Sequence, residues 1–152
     1  MTSRRHLIHQ SIAAAAGATL LLRLVPAEAT PESLQQAIAS FSGDAPIRTG
    51  RVKLQIAELV ENGNAVPVTV SVDSPMSAGD FVRRIALFNE RNPQPEVAVF
   101  ELSPANGRAE VGTRIRLATS QGVVAVAQMN DGSLWQQRVD VIVTLAACIE
   151  GG

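Results

Sequence analysis

From Val52 onward the chain is cut into seven short β-prone runs by turn-forming residues at intervals near ten, and this rhythm constrains the fold more than any other feature. The runs are 52–56, 66–72, 82–88, 97–102, 109–117, 123–129 and 134–145. The first two alternate apolar and polar residues, as a half-buried strand does, with Glu61-Asn62-Gly63-Asn64 as the expected turn between them. Asn92-Pro93-Gln94-Pro95, Pro104-Ala105-Asn106-Gly107 and Asn130-Asp131-Gly132-Ser133 separate later runs, and Asp-Gly in the last predicts a tight hairpin because it tolerates positive φ. Strands this short and regular predict an all-β, immunoglobulin-like sandwich of about seven strands, with no βαβ alternation or solenoid repeat to compete. At 152 residues the chain suits one domain.

Ahead of the strands the period is different. Leu34, Ala37, Ile38 and Phe41 follow the i, i+3, i+4, i+7 spacing of a short amphipathic helix. Thr30 is the expected cap, Pro31 opens the first turn and Gly43 closes the helix.

The first 29 residues have the build of an export signal. Arg4 and Arg5 form a charged start, and the Ala-rich run 11–22 is too short to span a bilayer, which takes about 20 apolar residues. Ala27-Glu28-Ala29 is a small-x-small cleavage pattern, which predicts processing between Ala29 and Thr30. The arginine pair before a modestly apolar core is similar to a twin-arginine signal, so the expected location is the periplasm.

Cleavage there changes the chemistry available. It removes Arg4, Arg5, Arg23, Glu28 and both histidines, His6 and His9, leaving ten bases against thirteen acids and no imidazole in residues 30–152. Triads with a His base, His-containing zinc or copper sites and a basic nucleic-acid surface lose their essential residues. What remains is one thiol, Cys148, which cannot form an internal disulfide. An unactivated thiol titrates near pH 8.5. Nothing cationic adjoins Cys148 in sequence and Glu150 is two residues away, so the residues predict a thiol that depends on another protein for activation.

Several stretches within Gly50 to Leu145 carry a family resemblance. Gly63 to Val72 with Ser74-Pro75-Met76, Arg84 to Phe88 with Asn92-Pro93, Gly107 to Val111 and Met129 to Trp135 together resemble the SoxY family, the carrier subunit of periplasmic sulfur-oxidising systems. The resemblance implies an immunoglobulin-like carrier that pairs with a SoxZ-like subunit as a heterodimer. It also implies a thiosulfate-derived or related sulfur chain attached at Cys148 and presented to separate redox or hydrolytic enzymes, with no catalysis and no cofactor of its own. The family arm ends Gly-Gly-Cys-Gly-Gly, whereas this chain ends Ala146-Ala147-Cys148-Ile149-Glu150-Gly151-Gly152, which is similar to a branch distinguished by its AACIE arm.

That sequence predicts a flexible C-terminal arm over 146–152, stiffer than a glycine arm because Ala avoids positive φ. Three residues beyond Leu145 would carry the sulfur roughly 10 Å from the body. Three other readings stay open: a carrier of a different cargo, because the arm is AACIEGG and not GGCGG, a scaffold or binding module whose arm only docks, and an autonomous thiol enzyme. Arg83 with Arg84 and Arg114 with Arg116 are either an anion-attracting patch or, as is commoner on strands, a solvated face. Met76 and Met129 are expected to pack, and Trp135 to cover a sandwich edge or an interface. Asp80, Glu90 and Asp140 show no spacing that would bring them together.

Overall fold

The computed structural model describes residues 30–43 and 45–145. The signal segment 1–29 with Arg4 and Arg5, and the arm 146–152 with Cys148, lie outside the described residues.

Helix α1, Pro31–Ser42, forms as its ends dictate. The Thr30 hydroxyl accepts from the Ser33 N–H at 3.3 Å and the Ser33 hydroxyl accepts from the Thr30 N–H at 2.9 Å, so two otherwise orphaned donors are satisfied. Gly43, at φ 63°, ends the helix in a conformation that side chains with a Cβ avoid.

Nine strands follow: β1 Ile47–Thr49, β2 Val52–Gln55, β3 Leu59–Asn62, β4 Val66–Val72, β5 Val82–Asn89, β6 Glu96–Glu101, β7 Glu110–Ile115, β8 Gln121–Met129 and β9 Leu134–Leu145. One sheet runs β1-β9-β8-β5-β6 with β3 also on β9, and the other runs β2-β4-β7. The sandwich is as expected, but the strand count is corrected from seven to nine. β1 and β3 have three and four residues and little buried side-chain alternation, and both exist as parallel additions to β9. Glu61 and Asn62, expected in a turn, therefore belong to β3. β2 and β4 do pair antiparallel, with β3 crossing to the other sheet between them.

Burial follows the layers. Val66, Val68, Val70 and Val72 of β4 face β5, β8 and β9 residues such as Ile85, Leu87, Val123, Ala125 and Val141 across the sandwich core. On the opposite face of the larger sheet, Ala86, Phe88, Val124, Val126 and Leu134 pack under Leu34 and Phe41 of α1. Strands β5 and β8 are thus covered on both faces, and read as near-continuous apolar runs for that reason. Pro67 is tolerated in the middle strand of the smaller sheet because β2 reaches only as far as Thr69, leaving Pro67 paired with Arg114 of β7 alone. The β8–β9 turn matches expectation: Gly132 takes φ 85° and the Asp131 carboxylate accepts from the Ser133 N–H at 2.9 Å.

Candidate functional site

The registers bring one set of strand ends together. Gln121 of β8 lies opposite Val141, Asn89 of β5 opposite Val123, and Asn62 of β3 beside Leu145. The last described residue, Leu145, is anchored there: its carbonyl accepts from the Gly63 N–H at 3.2 Å, and the Gly63 carbonyl accepts from the Leu117 N–H at 2.8 Å. Leu145 is 67% exposed, so the chain leaves β9 at the surface. Leu59 and Ile142, register partners of β3 and β9, are also exposed, which puts apolar surface beside the root of the arm.

The same end holds an ion cluster that the strand pattern did not foretell. Arg138 pairs with Glu90 at 3.0 Å and with Asp140 at 2.8 Å, which corrects the expectation that these acids stay apart. The reason is register: Asp140 lies opposite Gly122, and Glu90 exchanges backbone and side-chain hydrogen bonds with Gly122. A Cβ at Gly122 would overlap the Arg138 guanidinium, so glycine makes room for the bridge. The Arg138 hydrogen bond, followed by the Gly122 N–H, holds the Glu90 carboxyl below its ordinary range. Glu90 therefore contributes stability that is present above the unfolded value of about 4.3 and is lost as pH falls through the lower folded value. Gly122→Ala is expected to swing Arg138 out and return the Glu90 titration toward its ordinary range. The loss at pH 7 should be under about 1 kcal/mol for a partly exposed pair, and the urea midpoints of variant and parent should draw together as pH falls through the lowered Glu90 titration.

Asp80 is separate, held by Arg51 through two hydrogen bonds of 3.1 and 2.8 Å. Arg83 and Arg84 sit in the larger sheet and Arg114 in the smaller. Arg84 is committed to the helix seam, with its guanidinium 4.6 Å from the Phe41 ring centroid and its Nε donating to Gln128. Met76 and Met129 are buried in the sandwich core. Trp135 covers the edge of that core, flanked by the Arg48 and Arg51 guanidinium groups at 5.6 and 5.9 Å. Among the described residues, no three His, Cys, Asp or Glu side chains gather to hold a metal ion.

This sandwich is shared with known proteins. A family model described as "Sulfur oxidation protein SoxY" matches residues 38–148. The chain belongs to the SoxY family. The solved SoxY sulfur carrier protein from Chlorobium limicola f thiosulfatophilum is 33% identical, with a TM-score of 0.63 over 75% of this chain and 98% of that one. A superoxide reductase (neelaredoxin) from Ignicoccus hospitalis aligns at a TM-score of 0.55 and 22% identity, over 76% of this chain and 94% of that one. A putative superoxide reductase from Thermotoga maritima does so at 0.55 and 21%, over 64% and 93%. These two show that the SoxY sandwich is a shared fold and carry nothing about chemistry. No curated protein sequence matches the chain.

Proposed function

We propose that the chain is a periplasmic sulfur carrier without catalysis of its own. In this reading a cleaved twin-arginine signal, 1–29, exports a carrier domain, 30–152, whose arm over 146–152 presents a covalent sulfur adduct on Cys148 to partner enzymes. The carrying observation is that the family match runs through residue 148 and so takes in Cys148, in a chain 33% identical to a solved sulfur carrier. The anchored, exposed Leu145 supports it, because the chain is at the surface three residues before Cys148 in sequence. Exposed Leu59 and Ile142 are surface of the kind that a protein partner covers, in keeping with a heterodimer with a SoxZ-like subunit. The adduct is the cargo, so no cofactor is required.

The Ala-Ala-Cys-Ile-Glu arm sets this chain apart within the reading. Alanines before the thiol narrow the backbone freedom that a glycine arm has, and Ile149 adds an apolar anchor beside the sulfur. The receiving enzymes should therefore be shaped for a broader, stiffer arm. Intact mass measurement of protein purified from its native periplasm is expected to show Cys148 carrying a sulfur-containing adduct during growth on reduced sulfur compounds. A thiol that stays unmodified under all such conditions would overturn the carrier and favour a docking scaffold.

A further inference from the structure

The two sheets differ on their outer faces. Helix α1 packs on that of the larger sheet, whereas no element covers the outer face of β2-β4-β7 among the described residues. Alternation along the strands buries the valines of β4 and turns Lys53 and Gln55 of β2, Thr69 and Ser71 of β4, and Glu110 and Gly112 of β7 outward. The ladder registers set these six in two rows, Lys53-Ser71-Glu110 and Gln55-Thr69-Gly112.

Gly112 is not required by the chain's own fold. Glycine weakens a strand interior and marks a bulge, a positive φ or a close approach of other backbone. The β4–β7 ladder runs through Gly112 without a shift of register, and its φ is not positive. A Cβ there would meet only Thr69 Oγ1 at 3.8 Å and the Val68 carbonyl oxygen at 4.0 Å, which are ordinary contacts. The room it leaves opens outward, away from the sandwich.

The charges beside it indicate the occupant. Lys53 and Glu110 stand at opposite edges of one row, two strand spacings or about 10 Å apart. Neither forms an ion pair among the described residues. A two-fold axis lying in the face along β4 exchanges the edges and keeps each row. It therefore sets Glu110 of a second copy over Lys53, and Lys53 of that copy over Glu110. The same operation brings Gln55 of the copy over Gly112, where no side chain stands in its way. We propose that the outer face of β2-β4-β7 docks a second copy of this chain, sheet to sheet, in an isologous dimer. Three strands offer a small interface, so the dimer is weak, with a Kd of order 0.1 mM. An axis along the strands points the Leu145 ends of both copies the same way. The surface is separate from exposed Leu59 and Ile142, and the proposal does not depend on the carrier reading.

The test uses the full chain carrying Cys148→Ser, which removes disulfide-linked pairs. Sedimentation equilibrium from about 10 μM to 1 mM should show the mean mass rising from one copy toward two. K53E and E110K each oppose like charges and should weaken association at least tenfold. An equimolar mixture of the two again opposes Glu to Lys at both positions and should restore it. R83E makes the same charge change as K53E on the larger sheet and should leave association unchanged. Gly112→Val fills the room for Gln55 and should weaken association at least tenfold, with a urea midpoint no lower than the parent's because valine suits a strand. A chain that stays monomeric at 1 mM overturns the proposal. So does a dimer that persists in K53E, a mixture that fails to associate, or an R83E chain weakened as much as K53E.

Discussion

Cys148→Ser is expected to reduce sulfur-compound oxidation by the reconstituted system to the level seen without the protein, while every protein complex still forms. A hydroxyl cannot form the S–S bond that would hold a sulfur chain, and no other thiol exists in the chain to replace it. The body should not notice the change, since Cys148 follows Leu145, the last residue of β9, and no described core residue depends on it. Unfolding midpoints should therefore agree with the parent within about 0.5 kcal/mol. Oxidation rate and pull-down of the partner subunit are measured together. Retained turnover in the Ser variant would exclude a covalent carrier, and loss of the complex would make the thiol structural.

Phe88→Ala is the substitution expected to cost most in stability, about 3–5 kcal/mol. Phe88 is fully buried on the face of β5 that α1 covers, with its ring 6.0 Å from that of Phe41 in an edge-on arrangement. Truncation leaves a cavity between sheet and helix that Ala86, Val124 and Val126 are too short to fill. The helix is tied to the sheet chiefly by Leu34 and Phe41, so its amides should exchange with solvent well before those of the sandwich core. Urea unfolding gives the total, and hydrogen exchange gives the order. If α1 amides keep their protection, the helix is held by something other than this contact.

The layers were legible because apolar period and turn chemistry both report local geometry. Val66 to Val72 alternates since one face of β4 meets the core, and the Asp131-Gly132 turn was visible from its own two residues. β1 and β3 were not legible, since each is fixed by a long-range parallel partner: Ile47 beside Leu134 and Leu59 beside Ile142. The Arg138 bridge was hidden for the same reason, as Glu90 and Asp140 are brought together only through Gly122 on a third strand. Cys148 stood out for a simpler cause: it is the one cysteine of the sequence, and both histidines fall within the first 29 residues.

The way β9 is gripped gives the body a mechanical character. Residues 134–141 of the strand are laddered to β8, and its last residues, 142–145, to parallel β3. A tug on the tail along the β9 axis would load those ladder bonds in shear, all at once, where a hairpin peeled from its end breaks bonds singly. If the carrier reading holds, a receiving enzyme would draw on the tail without unravelling its root, with β3, the short strand with little core to bury, as the strain relief.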